Sequence, residues 1–263
     1  GAEAVLIVTP SSTLRDICTA MAPHIPPGIP IALACKGIER GTGLLLSEVV
    51  SEMLPGHPVG AVSGPTFARE TALDHPTAAT VAFPFSYADR LDPHASPAAR
   101  LAVSLSGGGF RPYVSDDLVG VEVGGAVKNV IAIACGAAIG AGLGDSARAA
   151  LMTRGFAEMN RFAVARGAEA DTLQGLSGFG DLTLTCTSEK SRNFAYGLSL
   201  GRGEPQAEGV TIEGKATAKA VSNAATKAGI EMPITNMVVA VMSGHITINE
   251  ASDLLLARPL KEE

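Results

Sequence analysis

Residues 119–134 read VGVEVGGAVKNVIAIA, a run in which Glu122, Lys128 and Asn129 are the only polar residues. From Val130 to Gly144 every residue is apolar or glycine. That stretch is shorter than the roughly 18–20 residues of a membrane span, and Lys128-Asn129 precede it, so it reads as a buried core helix. Asp116 or Asp117 is placed to cap its start, and the helix is expected to run through Lys128 into Ile139. A lysine is rarely buried unless it is paired or has a task. Desolvation lowers its pKa towards neutrality, where it exchanges protons efficiently. The other possibility is that Lys128 reaches solvent along a narrow polar edge. The helix pattern alone leaves both open.

The chain changes character where this helix begins. Upstream, short β-branched runs alternate with helical stretches, the pattern of βα units around a largely parallel sheet. Strands are expected at Ala4–Val8, Ile31–Cys35 and Val59–Val62, near Ala78–Phe83, and at Phe110–Val114. Helices are expected from Ser11 or Ser12 to about Met21 and across Leu44–Met53. Proline-rich Phe83–Ser96 reads as irregular. Downstream the pattern is helical: Ser146–Arg166, capped by Asp145 and ended by Gly167; Gly214–Gly229; Asn236–Met242; and a last helix near the C-terminus. The fold class is therefore α/β, a Rossmann-like (doubly wound) domain over 1–114 followed by an all-α domain over 115–263. Such a sheet normally opens with a strand and a G-x-G-x-x-G turn. Here Pro10-Ser11-Ser12 come instead, so the first domain reads as lacking its glycine-rich first βα unit. Gly140, Gly142 and Gly144 resemble that spacing but follow a helix, and read as close helix packing and a turn.

Composition narrows the function. The chain has 263 residues, 46% hydrophobic and 17% charged, with a net charge of −6. This is a globular protein without the basic stripe that nucleic acid requires. Its four cysteines lack metal-ligand spacing and read as free thiols in a reducing cytosol. His24, His57, His75 and His94 each lie within two residues of a proline, which points to loops and to no metal site. No signal peptide is read at the start.

Ligands of open α/β sheets bind beyond the carboxyl ends of the strands. Lys36-Gly37 closes the second strand. Ser63-Gly64-Pro65-Thr66 closes the third, its small residues letting a ligand approach the backbone. Farther on, Asp181 stands in the glycine-shaped stretch Gly178–Cys186 among apolar neighbours, where a lone carboxylate is costly and a lysine is the natural partner. Ser191-Arg192-Asn193 is a compact donor set suited to phosphate, the arginine able to bind two oxygens; such a triplet is also common on plain surface. Arg154 and Glu158, four apart, read as a surface pair.

SGPTFARE, GVEVGGAVKN, GDSARAALMTRGFAEM, GFGDLTLTCTS and SRNFAYG, in this order, resemble the bacterial-type NAD(P)-dependent glycerol-3-phosphate dehydrogenases. CKGIE, IEGKATAKAV and EMPI extend the likeness over nearly the whole chain. The resemblance implies reversible reduction of dihydroxyacetone phosphate to glycerol 3-phosphate for phospholipid synthesis, with NAD or NADP, in a cytoplasmic homodimer without a membrane span. By position it makes Lys128 the acid–base residue and Asp181 its neighbour. Lys36 would bind cofactor and substrate; Gly64, Thr66, Ser191, Arg192 and Asn193 would bind substrate; Ala68, Arg192, Thr211 and Glu213 would contact the cofactor. The loop AFPFSYADRLDPHASPAA is unusual for the family, and Thr211 stands where it has an apolar residue. Two other readings stand beside this one. The substrate could be an unphosphorylated hydroxyacid, sugar acid or ketopantoate, or the chain could be a homologue that binds a phosphorylated triose without hydride transfer. The choice between NAD and NADP is not in these residues.

Overall fold

The computed structural model describes residues 2–205 and 209–257. Five strands, β1 (Val5–Ile7), β2 (Ile31–Leu33), β3 (Val59–Ser63), β4 (Thr77–Ala82) and β5 (Phe110–Ser115), lie side by side in chain order. β1, β2 and β3 are parallel, β4 runs antiparallel to β3, and β5 is parallel to β4. The expected parallel sheet thus contains one reversal. The carboxyl ends of β1–β3 share an edge, and β4 ends on the opposite one.

Strand β2 shows why the sheet is covered on both faces. Ile31 and Leu33 pack with Leu14 and Cys18 of α1 (Leu14–Met21) and Val49 and Val50 of α2 (Leu46–Met53). Ala32, between them, packs on the other side with Ala98 and Ala102 of α5 (Pro97–Leu105). Alternate residues of a strand point to opposite faces, and here both are apolar. Helix α3 (Ala68–Ala72) is a short piece between β3 and β4. Phe83–Ser96, expected to be irregular, holds helix α4 (Tyr87–Leu91) and a 3₁₀ turn at Pro93–Ala95. Ser86 and Asp89 fix the start of α4: the Ser86 hydroxyl accepts the Asp89 amide at 3.2 Å, and Asp89 accepts the Ser86 amide at 2.8 Å. Pro93 and Pro97 sit in first turns, where no backbone N–H is needed. These prolines start helices.

Beyond Ser115 the described residues are helical: α6 (Leu118–Gly140), α7 (Gly144–Ala165), α8 (Ala170–Gln174), α9 (Asp181–Cys186), α10 (Arg192–Arg202), α11 (Glu213–Ala228), α12 (Pro233–Met242) and α13 (Ile248–Leu256). Helix α6 is the hub. Asp117 caps it by accepting the Gly120 amide at 2.8 Å, and its second oxygen accepts the Glu169 amide at 2.9 Å. Its 23 residues would suffice by length and composition to cross a membrane, yet 83% of its most apolar window is buried within the protein. Gly136 and Gly140 of α6 face Gly197 and Gly201 of α10; a Cβ on any of the four would come within 2.1–2.3 Å of a carbonyl oxygen on the facing helix. The two backbones therefore touch.

Gly142 and Gly144, with φ of 77° and 86°, make the turn into α7. That helix starts at Gly144 without a side-chain cap, and Asp145 pairs with Arg148 at 2.9 Å instead of capping it. Nor is Glu158 a surface residue. It is buried, and its carboxylate accepts the amides of Ile234 at 2.6 Å and Thr235 at 3.2 Å. This anchors the start of α12, which begins at Pro233, ahead of the expected Asn236.

Candidate active site

Lys128 is buried, so the solvent-reaching alternative is set aside. What surrounds it follows from glycines on α6. A Cβ at Gly124 would meet the Ser177 carbonyl oxygen at 2.6 Å, so the segment before Asp181 lies directly on the helix. That segment, expected to be a glycine-shaped loop, is a π-helical turn over Leu176–Gly180 that leads straight into α9. Gly178 is required there, because a Cβ would sit 2.0 Å from the Leu173 carbonyl oxygen. Single π turns are frequent at functional sites. The residue that follows this one directly into α9 is Asp181.

The Asp181 carboxylate is bound from two sides. One oxygen accepts from the Lys128 ammonium; the other accepts from Lys36 Nζ at 2.5 Å. Lys128 also donates to Thr185 Oγ1 at 2.9 Å, and Thr185 lies 3.3 Å from the same Asp181 oxygen. The side chains of Asp181, Lys128 and Lys36 are 2%, 8% and 17% exposed, so two cations and one anion share a nearly dry space. Burial alone would push the Asp181 carboxyl up, but the ammonium groups of Lys36 and Lys128 outweigh it and hold it below the ordinary aspartate range. Burial, then the charge of Lys36, push Lys128 down to about 8 against the pull of Asp181. A lysine so placed gives up and regains a proton near neutral pH. Burial pushes the thiol of Cys35, next to Lys36, up to about 12, which favours its protonated form.

Lys36 reaches this cluster from the end of β2. Its stem crosses Gly125 of α6, where a Cβ would lie 3.4 Å from Lys36 Cγ and Cδ and 2.8 Å from Ser63 Oγ. Its ammonium also donates to the Gly64 carbonyl at 3.4 Å. Gly64 is small for a different reason from the one expected: a Cβ there would meet Ala79 Cα of β4 at 2.7 Å. Close strand packing demands this glycine. Thr66 Oγ1 donates to the same carbonyl at 3.4 Å. Farther round, Ser191 caps α10 by accepting the Phe194 amide at 3.3 Å, and Asn193 Oδ1 accepts the Gly214 amide at 2.9 Å. The latter bond joins the start of α10 to the start of α11, whose first residue is Glu213.

The structure thus brings Lys36, Gly64, Lys128 and Asp181 together, and ties Asn193, just past the Ser191 cap, to Gly214, the neighbour of Glu213 in the chain. Ala68, Arg192 and Thr211 are exposed, and among the described residues they make no hydrogen bond to the lysine–aspartate cluster. Thr185 escaped the sequence reading. Its signal was the spacing of four from Asp181, which places two residues on one face only if the stretch is a helix; the glycines before it had argued for a loop. At the strand ends, Thr9 Oγ1 after β1 and Ser63 Oγ in β3 are buried and have no hydrogen-bond partner among the described residues. With the Lys36 ammonium they make an edge chemically fitted to a polar, oxygen-rich ligand such as a nucleotide.

A Rossmann-like sheet whose strand ends meet a buried lysine–carboxylate cluster on a helical domain defines the architecture of a two-domain, nucleotide-dependent dehydrogenase. The chain belongs to the NAD-dependent glycerol-3-phosphate dehydrogenase family: it matches the model of the family's N-terminus over residues 1–87 and that of its C-terminus over 117–253. It is 51% identical over 263 residues to the glycerol-3-phosphate dehydrogenase [NAD(P)+] of Mesorhizobium japonicum, covering 100% of this chain and 74% of that protein. The Brucella ovis protein of the same name is also 51% identical, with 78% of it covered. The crystal structure of glycerol-3-phosphate dehydrogenase from Coxiella burnetii superposes with a TM-score of 0.89 at 40% identity, over 98% of this chain and 78% of that one.

Proposed function

We propose that this chain catalyses the reversible NAD(P)H-dependent reduction of dihydroxyacetone phosphate to sn-glycerol 3-phosphate, supplying the backbone of glycerophospholipids, with Lys128 as the acid–base residue. One observation carries the reading: Lys128 is buried, softened to about 8, and held by Asp181 and Thr185. An ammonium has three N–H donors. Asp181 takes one and Thr185 another, which leaves the third for the carbonyl oxygen of the substrate. In reduction Lys128 gives that proton to the oxygen as negative charge gathers there, and in oxidation it takes the proton back. Asp181 orients Lys128, while Lys36 holds the other Asp181 oxygen and binds both substrate and cofactor. Gly64 and Thr66 border the substrate, and Ser191, Arg192 and Asn193 hold its phosphate. Residues that would hold NAD or NADP are Lys36, Ala68, Arg192, Thr211 and Glu213. Bound there, the nicotinamide supplies or accepts the hydride.

This reading makes 1–114 the dinucleotide-binding domain, with Lys36, Gly64 and Thr66 reaching the substrate, and 115–263 the substrate and catalytic domain, with Arg192, Thr211 and Glu213 reaching the cofactor, in a cytoplasmic homodimer. Its test is Lys128→Ala. Loss of a positioned general acid lowers turnover by about 10²–10⁴-fold, so kcat should fall in that range while the melting temperature shows a folded protein. Near-normal kcat in the folded variant would remove Lys128 from the chemistry.

A further inference from the structure

Six residues before Lys128, on the same helix, lies a buried carboxylate that the chemistry above leaves unused. Glu122 is 8% exposed and, among the described residues, has no ion-pair partner. Its Oε1 accepts the Ser47 amide at 2.9 Å, and its Oε2 accepts from the Ser47 hydroxyl. Ser47 is the second residue of α2. Amides there have no acceptor within their own helix, and the positive end of the helix offsets part of the charge. The carboxyl is still pushed up to about 7, by burial foremost. Well-packed apolar residues often replace such a buried charge without loss of stability, so packing alone does not account for Glu122.

What Glu122 holds is the segment that bears Lys36. Residues 34–45 leave β2, carry Lys36-Gly37, fold back through the Ile38–Leu45 bridge and enter α2. Two other fasteners grip the segment from outside. Arg15 of α1 binds Glu39 at 2.6 Å, and Arg166, just past α7, binds the Gly43 carbonyl at 3.1 Å and Glu48 at 2.8 Å. Both arginines are partly exposed; Glu122 is the buried polar anchor, set on the Lys128 helix beside Val123, Ala126 and Val127, which pack with Ile38 and Leu45 of the segment. A small cavity lined by Lys36, Gly37, Ser63, Glu122 and Gly125 shows that packing leaves this seam incompletely filled.

We propose that Glu122 is a positioning residue: through Ser47 it locks the Lys36 segment onto the Lys128 helix and so sets where Lys36 meets Asp181 and the substrate. The proposal rests on Lys36 binding substrate, as read above. It is tested by measuring KM and kcat for dihydroxyacetone phosphate in Glu122→Gln, Glu122→Met and Ser47→Ala, with Lys36→Met beside them. Glutamine can accept the Ser47 amide and donate to the Ser47 hydroxyl, so its KM should stay within about twofold of the parent. Methionine fills similar space without either bond; its KM should rise about tenfold, a shift of ~1.4 kcal/mol, with kcat within about threefold. Ser47→Ala breaks half of the same contact from the α2 side and should raise KM by about threefold. Should the methionine variant fail to fold, Ser47→Ala decides. Unchanged KM in the variants that break the contact, with KM raised in Lys36→Met, would overturn the anchoring role alone. So would a glutamine variant as impaired as methionine. Unchanged KM in Lys36→Met would instead remove the substrate role of Lys36, and the proposal with it.

Discussion

Asp181 is the residue on which the site turns, because it is one carboxylate between two ammonium groups. Removing it leaves two buried cations facing each other. Breaking a buried pair by deleting one partner typically costs 3–5 kcal/mol, and Asp181→Ala should lose about that much in urea unfolding at pH 7. A loss well under 1 kcal/mol would mean that water reaches the lysines and that the cluster is wet. Much at this scale was legible in the sequence. Lys128 stood out as a cation in an apolar helix, and Asp181 as a carboxylate needing a lysine. The residues alone leave open which lysine it takes and the resemblance names Lys128; the fold supplies Lys36 as well, across 145 positions of chain against 53 for Lys128. Separation along the chain is what hid it.

At the scale of elements, the long helices were legible from their apolar patterns, and the strands from β-branched runs. Short helices were not. Helix α4 lies in a proline-rich stretch and the π turn in a glycine-rich one, and both residues read as breakers unless their position in a first turn or a tight contact is known. Contact between α6 and α10 sets where Ser191, Arg192 and Asn193, proposed above to hold the substrate phosphate, stand relative to Lys128. Gly136→Ala would drive a methyl group into the Phe194 carbonyl, 2.1 Å away. Overpacking of this kind costs about 1–3 kcal/mol, and the displaced α10 should raise KM for dihydroxyacetone phosphate more than it lowers kcat. Unchanged stability and KM in Gly136→Ala would show that the helices can part without consequence.

Over the whole molecule, the reversal between β3 and β4 could not be read from the sequence, because hydrophobic periodicity gives a strand its faces and not its direction. The parallel order of β1–β3 puts their ends along one edge, with Lys36 and Ser63 against Gly125 of α6, and the reversal turns the ends of β4 and β5 away from it. The seam between sheet and helices also shapes the response of stability to pH. Glu122 is raised from 4.5 to about 7 in the folded protein. The folded state therefore holds more protons than the unfolded one between these values, and its stability falls as pH rises through that window. Burial raises Glu158 in the same direction, so only a difference between proteins isolates Glu122. Glu122→Gln, which never ionises, should gain stability relative to the parent as pH rises from 5 to 8, by a few degrees in melting temperature. A constant gap across that range would mean that Glu122 keeps an ordinary pKa.

The proposed role of Lys128 as carrier of the reaction's proton is read from kcat/KM against pH. Reduction needs the ammonium and oxidation needs the free amine. With Lys128 at about 8, kcat/KM for reduction should fall above that pH and kcat/KM for oxidation should rise towards it. In Lys128→Met, activity should drop by about 10²–10⁴-fold and whatever remains should lose both limbs. Limbs that persist near pH 8 in a folded Lys128→Met protein would place the proton on another group and remove Lys128 from the proton transfer.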